Sequence, residues 1–379
     1  MELVIDRVSL LNGLGMVQGI VERRNTVPIL GHVLLEPEEN RLRLSATDLE
    51  VGIRTEIACS HAEKGGLTLN ARKLFEVVRE AEGEEVTLKS LEGDWFELRC
   101  GRARFKMMGL DPRSFPAMPT QASKQEPLGG RKAIKGELTI ACEALAAMID
   151  RTIFAVSPDE ARYNLSGVYI EAADGNGVRM VATDGHRLAM VDREVAGFNL
   201  QGGAIIPRKG LAELRKLLDQ AGEGEVKLAI DGQLAWLKRG SSEVSMRLVE
   251  GEFPDYRGVV PKESRYQIPV GREALLRAIK RAMIFSNERY HGVKLAFSAG
   301  SLTVSSASPE VGEASETLDI EFGGADFSIG FNAAYLQQAL GVIPAEAEAV
   351  LGLSDEVSPG VIKTPTDSQF TYVVMPMRL

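Results

Sequence analysis

The chain has 379 residues, 44% hydrophobic and 26% charged, a composition that excludes bulk disorder and fits a folded globular protein. That length exceeds one ordinary core and fits two or three domains. The formal net charge of -9 argues against a general polyanion binder, while leaving room for one locally basic face.

The N-terminal Met1-Glu2-Leu3-Val4-Ile5-Asp6 lacks the basic segment and apolar run of a signal peptide. No run reaches the roughly 20 apolar residues that span a bilayer. Cys59, Cys100 and Cys142 are widely spaced with no Cys-x-x-Cys, which fits reduced, buried thiols. A cytoplasmic protein is expected.

In chain order, the first amphipathic segment runs from Leu10 to Val21 and is weakened by Gly13, Gly15 and Gly19. Strand-like runs follow at Val33–Glu36 and Arg41–Leu44. Ala46-Thr47-Asp48 comes next, and Ala71-Arg72-Lys73 opens a helix over Arg72–Glu80. Between Pro116 and Gly136, prolines and glycines gather with few large apolar residues, which predicts a linker. Leu145, Met148, Ile149, Thr152 and Ile153 then share one helical face. Strands at Gly167–Ile170 and Val178–Val181 flank Asp174-Gly175-Asn176-Gly177, a hairpin-turn sequence. Ala182-Thr183-Asp184 follows, and Pro207-Arg208-Lys209 opens a helix over Arg208–Leu218. A second linker is predicted from Pro254 to Pro269. Beyond it, Leu275, Leu276, Ile279, Ala282 and Met283 form a helical stripe, Lys294–Phe297 a strand, and Ala333–Leu340 a helix.

These elements repeat. Ala46-Thr47-Asp48 and Ala182-Thr183-Asp184 are 136 residues apart, as are Ala71-Arg72-Lys73 and Pro207-Arg208-Lys209. A worn third copy reads Val304-Ser305-Ser306 and Ala333-Ala334-Tyr335. The endings Ser114-Phe115-Pro116 and Glu252-Phe253-Pro254 also match. Three copies of one unit describe a shaped scaffold more readily than a single catalytic pocket. The expected fold is α+β, with three repeated domains of two helices packed on antiparallel sheet. Their boundaries fall at 1–122, 137–261 and 262–379, with a linker at 123–136.

The best catalytic candidate is Asp184 with His186, which could bind a metal or exchange protons. The alternative is a hairpin turn whose Asp satisfies backbone donors. None of His32, His61, His186 and His291 pairs with another at metal-ligand spacing. The first repeat keeps Thr47-Asp48 but has Leu49-Glu50 in place of Gly185-His186, so the Asp reads as structural. Arg208-Lys209-Gly210 resembles a phosphate-binding fragment without its glycine-rich loop. No nucleophile elbow is present. An enzyme is not expected.

Basic helix faces recur. Arg72 and Arg79 lie opposite Leu74, Val77 and Val78. Lys216, with Arg208 and Arg215, lies opposite Leu211, Leu214 and Leu218, and the third unit has Arg277 and Arg281. One such face is ordinarily just solvated. Recurrence through an acidic chain points to loose phosphate contact, moderated by Glu76, Glu80 and Glu213. The tail Val373, Val374, Met375, Pro376 and Met377 is apolar, either as a closing edge strand or as part of a groove for partner peptides.

At Thr26-Val27-Pro28-Ile29-Leu30-Gly31, Ala182 to Leu188, Pro207-Arg208-Lys209-Gly210, Phe253-Pro254-Asp255-Tyr256-Arg257, Ser286-Asn287-Glu288 and Tyr372 to Leu379, the chain resembles the bacterial DNA polymerase III β subunit family, the sliding clamps. The resemblance implies a DNA-clamp fold and a head-to-tail homodimer that closes a six-domain ring around double-stranded DNA. It also implies no active site, cofactor, metal or membrane. The implied partners are the replicative polymerase catalytic subunit, an ATP-driven clamp loader and other clamp-motif proteins.

The implied peptide groove falls on Leu165, Thr183, Gly185, His186, Arg187, Leu188, Pro254, Val259, Val357, Val373, Met375, Pro376, Met377 and Arg378, bordered by Asn332 and Tyr335. The implied DNA contacts are Arg24, Arg72, Lys73, Arg162, Tyr163, Arg208 and Lys209. The implied dimer interface joins Phe105 and Met107 to Ile284 and Phe285. Gly258, Pro359 and Asn164 depart from the family's commoner residues. Two rival classes stay open on the residues alone: a metal-dependent hydrolase at Asp184 and His186, and a scaffold with no DNA partner.

Overall fold

The structure, a computed structural model, describes residues 2–21, 26–119, 135–159, 161–173, 177–195, 198, 200, 202–220 and 222–379. Arg24, most of the 123–136 linker and the turn residues 174–176 lie outside the described residues. Among the described residues, six α-helices occur: α1 (Arg7–Val17), α2 (Ala71–Glu80), α3 (Cys142–Thr152), α4 (Arg208–Gln220), α5 (Arg272–Met283) and α6 (Ala333–Gly341). Each helix starts on the residue after a strand. In three of them the last strand residue is a side-chain cap. Asp6 accepts from Ser9 N, Asn70 from Lys73 N, and Asn332 from Ala334 N and Tyr335 N. This strand-to-helix junction recurs twice in each repeat.

The Asp6 cap explains why α1 starts at Arg7, ahead of the predicted Leu10; the helix ends at Val17, short of the predicted Val21. Gly13 serves packing. A Cβ on Gly13 would stand 2.5 Å from Leu44 Cδ1, so a larger residue would force the Leu44 side chain to shift where α1 meets the strand Arg41–Thr47. The predicted helical stripes are core faces. Leu145, Met148, Ile149 and Thr152 are buried, as are Leu275, Leu276, Ile279 and Ala282.

The chain forms two compact units. The first comprises 1–146, 198–201 and 209–248; the second comprises 147–197, 202–208 and 249–379. All strand pairs among the described residues are antiparallel. In the first unit, Ser242–Arg247 pairs with Val51–Ala58, Val244 opposite Ile53, so strands of the central repeat extend those of the N-terminal repeat. In the second, Arg187–Glu194 pairs with Asp367–Val374, Leu188 opposite Val373, and joins the other half of the central repeat to the C-terminal repeat. The second unit also holds a separate four-stranded sheet ending on Gly312–Asp319. The central repeat is thus divided between the two units.

Three predictions are corrected. Val304-Ser305-Ser306 lies inside the strand Ser301–Ser308, with Val304 fully buried; the counterpart of Ala46-Thr47 is Ala307-Ser308 at its end. The second predicted linker ends before Pro269, which pairs with Val350 in the strand Tyr266–Gly271. That strand closes its sheet's edge, where a missing N–H is tolerated. The first predicted linker is shorter at both ends. Phe115 packs with Ile29, Leu30 and Met118, and residues 135 and 136 already belong to the strand Lys135–Ala141.

Candidate functional site: an apolar cavity beside a repeated turn

The strands Gly177–Thr183 and Arg187–Glu194 are joined by Asp184-Gly185-His186. Thr183 Oγ1 donates to Arg187 O at 2.6 Å and accepts from Gly185 N at 3.1 Å. Asp184 Oδ1 accepts from His186 N and Arg187 N at 2.9 and 3.1 Å. The first repeat is built alike. Thr47 Oγ1 bonds Val51 O and Leu49 N, both at 3.0 Å, and Asp48 Oδ1 accepts from Glu50 N and Val51 N at 2.9 and 2.7 Å. The Thr-Asp pair therefore builds a turn, which is the structural reading of Asp184. The turn needs a left-handed residue: Gly185 has φ 88° and Leu49 φ 82°.

Arg187 is particular to the second copy. Only 7% exposed, it donates from Nε to Asp184 Oδ2 at 3.0 Å, from Nη2 to Phe154 O at 2.6 Å and from Nη1 to Gln338 Oε1. Its guanidinium also lies 4.4 Å from the Tyr335 ring centroid. His186 is exposed and stacks on Tyr335 with centroids 6.5 Å apart. Tyr372 donates to Tyr335 O at 3.0 Å, and its burial pushes its phenol above the ordinary range. Among the described residues, no three His, Cys, Asp or Glu side chains gather where they could hold a metal ion.

Beside this turn opens a cavity of about 270 Å³. Leu165, Thr183, Gly185, Arg187, Leu188, Pro254, Val259, Val373 and Met375 line it, nine of the expected groove residues. Asp255 and Tyr256 complete the lining; they sit inside the Phe253-Pro254-Asp255-Tyr256-Arg257 motif, which could have pointed to them. The cavity floor is a cluster of Val181, Leu188, Tyr256 and Val373 backed by Tyr169, Met190, Phe253 and Val260. Tyr256 donates to Glu171 and accepts from Arg179 Nη1 at 3.4 Å. Burial, with the Glu171 hydrogen bond, pushes its phenol up to about 12. Arg257 holds Glu171 from outside at 2.8 and 2.9 Å. The result is an apolar pocket with polar groups tied into its walls, and a mouth suited to apolar side chains.

The tail has two roles. Asp367–Val374 is an interior strand between Arg187–Glu194 and Gly360–Thr364, which corrects the edge-strand alternative, and Val373 and Met375 also line the cavity. Met375 N donates to His186 O at 2.9 Å and Met377 N to Gly330 O at 2.8 Å. Pro376, Met377 and Arg378 thus lead away from the cavity toward Gly330. Asn332 caps α6, and Val357 stands 75% exposed in a loop held by Asp355.

The expected DNA contacts differ in availability. Lys73 and Arg208 are exposed, Lys73 in an i,i+3 pair with Glu76 at 2.7 Å. Arg72 is half-buried and donates to Val21 O at 3.1 Å. Lys209 pairs with Asp48. Arg162 donates to Asp184 O at 3.2 Å, beside Tyr163, which is 59% exposed. In the first unit, Phe105 and Met107 are half-buried opposite Leu98 and Phe96. In the second, Ile284 and Phe285 line a cavity of about 440 Å³, with Ile284 69% exposed.

Fold and cavity together define a repeated α+β scaffold that carries an apolar cavity. Three family models cover nearly all of it: the DNA polymerase III beta subunit N-terminal domain at 1–119, central domain at 139–255 and C-terminal domain at 257–378. The chain belongs to the DNA polymerase III beta subunit family. It is 36% identical to the beta sliding clamp of Caulobacter vibrioides and 35% identical to that of Escherichia coli K12, in both cases over 100% of each chain. Among solved structures it is similar to a Caulobacter crescentus beta sliding clamp crystallised with polyethylene glycol at a beta-motif tethering region (TM-score 0.90, 34% identity, 100% and 99% of the two chains). It is also similar to the DNA polymerase III subunit beta of Pseudomonas aeruginosa bound to griselimycin (TM-score 0.89, 36% identity, 100% of each chain). No helix among the described residues is long and apolar enough to cross a membrane.

Proposed function

We propose that this chain is one protomer of a cytoplasmic, non-catalytic sliding clamp. Two copies close head to tail around duplex DNA and hold the replicative polymerase and other partners by peptides seated in the cavity. The observation that carries this reading is the convergence of the turn Thr183–Leu188, the segment Pro254–Val259 and the C-terminal strand on one apolar cavity. A tethered partner keeps a high effective concentration at its DNA substrate, which is what processivity requires. Asp184 has both carboxylate oxygens committed to the turn and to Arg187, which favours this reading over a hydrolase.

The acidic chain suits a ring that is retained by topology. Such a ring needs only weak phosphate contacts, here from Lys73 and Arg208 with Arg162 and Tyr163 nearby, and must remain free to move. Boundaries at 122 and 262, with the central unit opening on the strand from Lys135, fit three such units per protomer.

For the dimer, two strand edges support the reading. Among the described residues, Ala103–Met108 has ladder partners only on Trp95–Cys100, and Gly312–Asp319 only on Ser301–Ser308. The first carries Arg104 and Lys106, the second Glu313 and Glu316, so opposite charges flank two edges able to pair. Exposed Ile284, with Phe285, would cover Phe105 and Met107 of the partner. Sedimentation tests this: the particle should have twice the 41.1 kDa chain mass, and Ile284→Asp should halve it by burying an unpaired charge. A wild-type monomer, or an unaffected variant dimer, would contradict the assignment.

A further inference from the structure

The two copies of the Thr-Asp turn hold their aspartates alike and neutralise them differently. In each, one carboxylate oxygen accepts two backbone amides. The other oxygen of Asp184 is met by Arg187 from within the turn. The first copy has Val51 where Arg187 stands, so its turn supplies no cation. Asp48, with a side chain only 7% exposed, pairs instead with the Lys209 ammonium at the start of α4. A carboxylate this buried is stable only with such a partner.

We infer that Asp48 is a positioning residue for DNA: it holds the Lys209 ammonium in an internal ion pair and withholds it from phosphate. The inference rests on the sliding-clamp reading. Lys209 follows the exposed Arg208 at the mouth of α4, so an unheld ammonium there would add one phosphate contact. Each such contact adds about 0.9 to the slope of log affinity against log salt. For a ring retained by topology, that contact adds drag and nothing to retention. The turn that shapes the peptide cavity in one repeat thus tempers DNA contact in the other.

The test compares binding of the full-length protein to a labelled linear duplex from about 50 to about 200 mM salt. Asp48→Asn keeps the oxygen that caps the turn and removes the charge. Its slope should be steeper by about 0.9, so its affinity should fall about 3-fold further than that of wild type over this range. Adding Lys209→Met should remove that difference. Asp48→Ser, whose hydroxyl can still accept the turn amides, carries the same comparison if the Asn variant does not fold. Equal slopes for wild type and a folded Asp48 variant, with wild type binding DNA, would overturn the inference and leave the sliding-clamp reading standing. Failure of both variants to fold would make Asp48 a structural residue and overturn the inference too. Absence of wild-type binding to this duplex, together with no retention on circular DNA, would remove the sliding-clamp reading and the inference with it.

Discussion

Arg187 sits face-on to Tyr335, its guanidinium 4.4 Å from the ring centroid, and so ties the turn of the central repeat to a helix of the C-terminal repeat. The same guanidinium closes Asp184 and reaches Phe154 and Gln338. It is a buried keystone within the cavity wall, its charge tied up by protein partners. Its planar fork serves several acceptors at once, which an ammonium cannot do.

Arg187→Met should therefore destabilise the protein by about 3–5 kcal/mol, because it leaves the Asp184 carboxylate buried and unpaired. Arg187→Lys should recover only part of this. Urea denaturation measures the loss, and peptide affinity should fall with it because Thr183, Gly185 and Leu188 lose their support. A Met variant as stable as wild type would contradict the keystone role.

Leu49 occupies the left-handed position that Gly185 fills in the sister turn, and is 59% exposed. Such a conformation costs a side chain about 1–2 kcal/mol, partly offset by the added freedom of glycine in the unfolded chain. Leu49→Gly should raise stability by about 0.5–1 kcal/mol, whereas Gly185→Leu should lower it. Thermal melts of the two variants should move in opposite directions; a loss of stability in Leu49→Gly would refute the strain.

Tyr256 has its phenol pushed up to about 12 from an ordinary 10, chiefly by burial and then by Glu171. A raised value means that the folded state prefers the neutral phenol. Its contribution is complete below pH 10 and disappears as the pH climbs from 10 to 12. Wild-type stability should then fall more steeply across that window than that of Tyr256→Phe, with parallel curves below it. Urea midpoints against pH check this; parallel curves throughout would contradict it.

Much of the scaffold was legible because it depends on local pattern. Helical stripes such as Leu275, Leu276, Ile279 and Ala282 announce core faces by spacing alone, and the Thr-Asp signature marks a turn wherever it recurs. What could not be read depends on tertiary partners. Nothing near Lys209 in the sequence announces Asp48, and Arg72 looks solvated until its tie to Val21 O is visible. Pro269 reads as linker because a single sequence does not show that its strand lies at a sheet edge. In the cavity, the motif around Pro254 was evident. That Tyr256 would turn inward as a wall followed only from its bonds to Glu171 and Arg179.

The central claim is topological, and retention on DNA tests it most directly. After loading onto nicked-circular duplex, the protein should stay bound through a high-salt wash and be released when the circle is linearised. Equal retention on circular and linear DNA, or none on either, would contradict a closed ring.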